Sequence, residues 1–93
     1  MVKEDTHEIM LVKDIRHEVL WFARQMEIKL KENDHKSDYR NESLQYLSMR
    51  LTQERKELTE ALKSRDQIKI IRECADIANF AMMIADQFKN DRY

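Results

Sequence analysis

Apolar residues recur every three or four positions along three segments of this chain, which is the spacing of an amphipathic α-helix. The first segment runs to about Glu32 and carries a stripe made of Ile9, Val12, Ile15, Val19, Phe22, Met26 and Leu30. Asp5, with Glu8 three positions later, has the form of a capping box, so the pattern predicts that one long helix begins there. The stripe predicts one wall of a helical bundle.

The second and third segments follow each other closely. Asn41 is a favourable N-cap residue, and the pattern predicts a helix from Glu42 to about Lys63. Ser64 and Gln67 have the form of a second capping box, which predicts that a third helix starts directly after the second. Because the connection is short, we expect these two helices to lie antiparallel.

An acidic pair interrupts the apolar seam of the second helix. Glu54 occupies the step between Leu51 and Leu58. Glu57 follows three residues later, and this spacing places both carboxylates on one helical face, about 5 to 6 Å apart at Cβ. Neither residue four positions from Glu57 is basic, so its own helix offers this carboxylate no ion-pair partner.

A second acidic pair lies in the most apolar part of the chain. Between Cys74 and Ala85 only Asp76 and Asn79 are polar, which predicts a helix buried nearly all round. Glu73 precedes Asp76 by three positions and shares its face. In an antiparallel hairpin the two pairs can converge, and like charges that close stay ionised only with a cation among them. Oxygen ligands of this number and charge suit Mg²⁺, with Mn²⁺ as the alternative.

The same acids are also compatible with ordinary surface ion pairs, which contribute little to stability. Basic residues stand four positions before three of the acids, at Arg50, Lys69 and Arg72. The position of Glu54 in the seam and the apolar surroundings of Asp76 favour a metal site.

A polar connection separates the first two helices. From Lys31 to Glu42 the only apolar residue is Tyr39, so the segment is predicted to be a loop. Four residues of this loop have side chains that suit the recognition of phosphate and base: His35, Lys36, Tyr39 and Arg40. A solvated linker is the alternative.

Asn79, one turn beyond Asp76 on the third predicted helix, is a further candidate for a hydrogen bond to the sugar or base. Alternatively, its side chain satisfies a buried polar group.

Composition supports an all-α class for one domain over residues 1–93. The chain has no glycine or proline, and its single cysteine excludes an internal disulfide. So small a core favours completion of the bundle by a second subunit, in a homodimer or homotetramer. Seventeen basic and eighteen acidic residues give a net charge of −1, which does not favour nucleic acid as a partner. No apolar run is long enough to span a membrane, and we expect a cytoplasmic protein.

The segment from Leu51 to Leu62, followed by Glu73 to Phe80, resembles the MazG-type all-α nucleotide pyrophosphohydrolases. Their signature is E-E-x-x-E, a helical spacer and E-x-x-D, and Gln53 here replaces the first glutamate. The resemblance implies a Mg²⁺-dependent enzyme that cleaves a nucleoside triphosphate to a monophosphate and pyrophosphate. It also implies metal ligands at Glu54, Glu57, Glu73 and Asp76. Glu54 or Glu57 would activate the attacking water.

The segment from Trp21 to Lys36 is similar to a MazG-related subgroup that carries M-E-x-K-L-x-x-N-x-H-K before the acids. Members of that subgroup often continue with Gly-Gly-Trp. Here the corresponding residues are Ser37, Asp38 and Tyr39, which keep an aromatic ring and lose the glycines.

Two other functions are compatible with helical patterning. A non-enzymatic module that binds partner helices would suit the six methionines, but such a module has no reason to gain stability from Mg²⁺. A carboxylate-bridged di-iron bundle would need Glu-x-x-His motifs, and no histidine falls three positions after a glutamate on the acid-bearing helices.

Overall fold

The computed structural model describes residues 10–34 and 39–91. Three α-helices make up most of this part: α1 (His17–Glu32), α2 (Leu44–Ser64) and α3 (Gln67–Lys89). Short 3₁₀ turns at Val12–Asp14 and Tyr39–Asn41 precede α1 and α2. The described residues contain no strand, so the predicted all-α class is confirmed. None of the described helices is long and apolar enough to cross a membrane.

The first helix begins later than the apolar stripe predicted. Residues 10–16 form a 3₁₀ turn and then an extended stretch, with ψ angles of 137° at Ile15 and 143° at Arg16. Met10, Leu11 and Val12 are 63 %, 49 % and 67 % exposed, so these apolar side chains lack a surface to pack on and do not support a helix. The prediction of a continuous helix is therefore wrong over residues 10–16. The capping box at Asp5 and Glu8 lies outside the described residues.

The second helix is capped by Ser43, and the prediction of Asn41 as the cap is wrong. The Ser43 hydroxyl accepts a hydrogen bond from the backbone N–H of Tyr46 at 3.1 Å. Asn41 instead ends the 3₁₀ turn that precedes the helix. Both residue types are good caps, so the choice between them depends on contacts elsewhere in the fold.

Those contacts come from the carboxyl-terminal end of α3. The buried Gln87 side chain donates a hydrogen bond from Nε2 to the backbone carbonyl of Glu42 at 2.8 Å. The Tyr39 hydroxyl donates to Oδ2 of Asp86 at 2.9 Å. These two bonds hold the chain against α3 just before α2 begins.

The hairpin of α2 and α3 is closed by two residues. Arg65 adopts a left-handed conformation with φ of 60°, and Asp66 caps α3 by accepting the Lys69 N–H at 3.2 Å. Ser64, predicted as that cap, instead donates its hydroxyl to the Ala61 carbonyl at 2.6 Å and so closes α2. The predicted short connection and the antiparallel packing of α2 on α3 are confirmed.

The three helices form an open arrangement in which α3 is central. Both α1 and α2 pack on α3, while in the described part no Cα atom of α1 comes within 8 Å of one in α2. The apolar residues that become fully buried are Leu47, Ala61 and Ala75. Within a single chain the run from Cys74 to Ala85 is therefore not buried all round, and a groove remains over α3 between α1 and α2.

Candidate metal and nucleotide site

The groove over α3 has a volume of about 820 Å³ and is lined by side chains from all three helices. Sites for small molecules usually have volumes of about 300 to 1,000 Å³. The four acids that the sequence singled out all line it: Glu54, Glu57, Glu73 and Asp76. The groove therefore joins the acidic residues to a space that can hold a nucleotide.

Three of these acids converge. Glu54, Glu57 and Glu73 each present one carboxylate oxygen, and the three oxygens lie within 4.8 Å of one another. Glu54 and Glu57 lie one turn apart on α2, and the antiparallel hairpin brings Glu73 of α3 beside them. Glu54 is only 5 % exposed. Oε2 of Glu73 is buried without a hydrogen-bond partner, which is the kind of unsatisfied acceptor that a hard cation would satisfy.

Two of the acids, Glu54 and Glu73, hold their protons more tightly than ordinary carboxyl groups. Burial raises the pKa of Glu54 to about 7; its hydrogen bond with Arg50 opposes this rise, while Glu57 and Asp76 add to it. Burial also raises the pKa of Glu73, and the charges of Glu57 and Asp76 act in the same direction. This is the behaviour of carboxylates that are buried close to one another.

Asp76 stands beside the three converging acids and is paired with a base. Its Oδ2 lies 3.4 Å from Nζ of Lys29 on α1, and both side chains are largely buried. Lys29 also lies 3.8 Å from Glu32, which Arg72 of α3 binds through two nitrogens at 2.6 and 3.0 Å. The hydrogen bond from Arg72 lowers the pKa of Glu32. Arg72 therefore joins α1 to α3, rather than pairing with Asp76 within its own helix.

Arg50 pairs with Glu54, as the spacing of four residues allowed. Its Nη2 donates to Oε2 of Glu54 at 3.2 Å. The guanidinium carbon also lies 5.1 Å from the centre of the Phe80 ring, within the range of a cation–π contact. Nε of Arg50 is buried without a hydrogen-bond partner. This pair is part of the groove and is not an ordinary surface pair.

Of the four predicted substrate-binding residues, the structure describes Tyr39 and Asn79, and both line the groove. His35 and Lys36 lie outside the described residues. Tyr39 lines the groove, and its hydroxyl is engaged by Asp86. Asn79 also lines the groove and is buried; its Nδ2 donates to the Met26 carbonyl at 3.0 Å, while its Oδ1 has no partner. The amide nitrogen thus satisfies a buried backbone carbonyl, whereas the amide oxygen is itself left without a hydrogen-bond donor.

Residues 19–89, which include all three helices, match the family model described as phosphoribosyl-ATP pyrophosphohydrolase. The chain belongs to this family. Comparisons with curated proteins and with solved structures found no match. The phosphoribosyl-ATP pyrophosphohydrolase family is a MazG-like all-helical family, so the resemblance drawn from the acidic motifs is confirmed.

Membership of the phosphoribosyl-ATP pyrophosphohydrolase family makes this protein a nucleotide pyrophosphohydrolase, a hydrolase of phosphoanhydride bonds.

Sequence reasoning missed Lys29 as the partner of Asp76, because 47 positions separate them and no local spacing connects them. Arg50 did have a signal, the spacing of four from Glu54, but that signal also fits an exposed pair. The contact of the guanidinium with Phe80 and the burial of Glu54 distinguish Arg50 from an exposed pair.

Proposed function

We propose that this protein is a Mg²⁺-dependent nucleoside triphosphate pyrophosphohydrolase that cleaves a (d)NTP to (d)NMP and pyrophosphate. The supporting observation is the convergence of Glu54, Glu57 and Glu73 in a groove large enough for a nucleotide. Carboxylate oxygens alone favour a hard divalent ion, so Mg²⁺ is the expected ion and Mn²⁺ the alternative.

The proposed ligands are Glu54, Glu57, Glu73 and Asp76. A divalent ion held by these residues would supply charge that offsets the phosphates and would lower the pKa of a nearby water. Glu54 or Glu57 would take the proton of the attacking water as the general base. Glu57 is the more exposed of the two, while the burial of Glu54 keeps its position fixed. Oδ2 of Asp76 is paired with Lys29, so this oxygen would bind an ion in competition with the lysine.

The proposed contacts to the nucleotide come from His35, Lys36, Tyr39 and Asn79. Support for the first two comes from their neighbours, because Asn33, Asp34, Tyr39 and Arg40 on either side of them line the groove. Replacing Lys36 with alanine should therefore raise the KM and leave the melting temperature unchanged. Unchanged kinetics on the best substrate would remove Lys36 from the site.

The deciding experiment is a screen of common and modified (d)NTPs with Mg²⁺. Phosphoribosyl-ATP belongs in the panel because the matched family is described by it, and it too would release pyrophosphate on hydrolysis. We expect pyrophosphate and the matching monophosphate in equal amounts, and no product with EDTA. Orthophosphate as the product, or activity that survives EDTA, would contradict the proposal. Glu57→Gln is the inactive control.

The proposed assembly is a homodimer or homotetramer of one MazG-like helical domain. Its support is the small core, since a leucine and two alanines are the apolar residues fully buried in the described part of one chain. Cores that small are usually completed by another subunit, a metal or disulfides.

A further inference from the structure

Glu54 is the most deeply buried of the candidate ligands, and it is already paired. Arg50 donates to its carboxylate at 3.2 Å, in a protein whose proposed activity needs that carboxylate for a divalent ion. A guanidinium and a divalent ion compete for the negative charge of one carboxylate, and here the guanidinium holds Oε2 of Glu54. An ion bound to Glu54 would therefore weaken this contact and leave the guanidinium easier to transfer to another anion.

The surroundings of Arg50 keep its charge in the groove during such an exchange. The face of the Phe80 ring lies 5.1 Å from the guanidinium carbon, and this contact does not depend on Glu54. The Arg50 side chain is 34 % exposed and lines the groove, so part of the guanidinium is accessible to a ligand there. A guanidinium is planar and presents its N–H groups as a fork, which matches the geometry of phosphate oxygens.

The negative charge of the groove opposes the binding of a nucleotide, and the Arg50 guanidinium offsets part of this charge. Among the described residues, seven acidic and three basic ones line the groove, so their net charge is negative before any ligand binds. A nucleoside triphosphate is itself strongly negative. A divalent ion offsets only part of the combined charge, and a fixed cation next to the acids favours phosphate binding.

We propose that Arg50 is a phosphate-binding residue of the pyrophosphohydrolase reaction, and that its guanidinium exchanges the Glu54 carboxylate for a phosphate oxygen of the nucleotide. This inference rests on the proposed function. It assigns a role to a residue that neither the acidic motif nor the loop contains.

The test compares Arg50→Gln, Arg50→Lys and the control Arg55→Gln, which removes an exposed arginine from the same helix outside the groove. The probe is a triphosphate with an α,β-imido bridge, which cannot release pyrophosphate, titrated in saturating Mg²⁺. We expect Arg50→Gln to weaken its binding about 10- to 100-fold, since a hydrogen bond to a charged group is lost. Arg50→Lys keeps the charge without the fork and should lose less. The control should bind as the wild type does.

A second titration separates phosphate binding from a structural role. Mg²⁺ alone should bind Arg50→Gln as tightly as the wild type or more tightly, because a competing cation next to Glu54 is gone. If Arg50 only holds the fold together, both affinities should fall in proportion to the melting temperature. Binding of the analogue that is unchanged in Arg50→Gln would overturn the proposal.

A measurement on the wild-type protein covers the case in which the glutamine variant does not fold. The Nε–H NMR signal of Arg50, assigned by its absence from Arg50→Lys, should shift when the analogue is added to the Mg²⁺-loaded protein. A signal that does not move overturns the proposal. Failure of the proposed function would be seen separately, as wild-type protein that neither binds Mg²⁺ nor releases pyrophosphate.

Discussion

At the scale of single residues, the four candidate acids divide into two that are paired with bases and two that are not. Glu54 is bound by Arg50 and Asp76 by Lys29. In the described part of the chain, Glu57 and Glu73 have no basic group within ion-pair distance. Neutralising an acid should therefore have opposite effects on stability in the two classes.

Glu57→Gln removes a charge that raises the pKa of Glu54 and Glu73 and that has no basic partner in the described residues. Without metal, we expect its melting temperature to equal or exceed that of the wild type, because the repulsion with Glu54 and Glu73 is relieved. Mg²⁺ should no longer raise the melting temperature, since a ligand stabilises only the state that binds it, and pyrophosphate release should stop. Thermal melts with EDTA and with Mg²⁺ provide the measurement.

Asp76→Asn is the contrasting variant. It removes the closer of the two carboxylates beside the largely buried Lys29 and leaves the longer contact with Glu32, so the metal-free protein should lose about 1 to 3 kcal/mol of stability. Glu60→Gln, which changes an exposed acid on α2, should leave both stability and activity nearly unchanged. A drop in the melting temperature of Glu57→Gln with activity intact would contradict the metal-site assignment.

The raised pKa values of Glu54 and Glu73 make metal-free stability depend on pH. Glu54 ionises near pH 7 in the folded state, against an ordinary value of 4.5. Between these values the folded state holds more protons than the unfolded state, so the free energy of unfolding falls as pH rises. This contribution to stability is complete below about pH 4.5 and is lost as pH rises through 7.

Urea denaturation in EDTA should thus show stability falling by roughly 1 to 3 kcal/mol between pH 5 and pH 8. The Glu54→Gln variant should show a smaller slope, because the main titrating group is gone. Saturating Mg²⁺ should also reduce or reverse the slope, since it binds the ionised carboxylates. Metal-free stability that rises with pH over this range would show that the acids are not held protonated.

At the scale of elements, the hairpin connection contains a residue in an unfavourable conformation. Arg65 has φ of 60°, a left-handed geometry that costs free energy for residues with a Cβ atom. Glycine adopts it without that cost and is the common residue just after a helix.

Arg65→Gly should raise the free energy of unfolding by about 0.5 to 1 kcal/mol. Arg55→Gly, at an exposed position inside α2, should lower it by about 1 kcal/mol, because glycine is unfavourable within a helix. Urea denaturation of both variants decides the matter. A loss of stability in Arg65→Gly would mean that the arginine side chain contributes contacts that outweigh the backbone cost.

The helices and three converging acids were predictable because their signals are local. The periodicity of α2 and α3 and the position of Glu54 in the seam need no knowledge of the rest of the fold. The start of α1 was not predictable, since the stripe continues through Val12 although no surface covers it. The cap of α2 was not predictable from the sequence either, because Asn41 and Ser43 are both suitable cap residues. The bonds from Gln87 to Glu42 and from Tyr39 to Asp86 are set by tertiary structure.

At the scale of the whole molecule, one chain leaves much apolar surface uncovered. Trp21 and Ile28, seven positions apart on one face of α1, are 46 % and 47 % exposed. Met49 of α2 and Phe88 of α3 are exposed as well. Soluble monomers rarely expose so many large apolar side chains, and a second copy of the chain is the expected cover.

Analytical ultracentrifugation at micromolar concentration should give a mass of at least twice the 11.3 kDa of one chain. Trp21→Glu should shift the population towards monomer if α1 forms the contact, while Arg24→Gln on the same helix is the control for the same change of −1 in net charge. A wild-type protein that sediments as an 11 kDa species would rule out the oligomer.

The separation of α1 from α2 has a consequence for how such a protein can diversify. All four candidate acids lie on the α2–α3 hairpin, whereas α1 forms the opposite wall of the groove and, in the described residues, packs only on α3. Apart from the contact of Lys29 with Asp76, substitutions on α1 reshape the groove without displacing a carboxylate. Substrate preference and hydrolytic chemistry can thus evolve on separate parts of the gene. An engineer seeking a new nucleotide specificity should randomise the first helix and leave the hairpin intact.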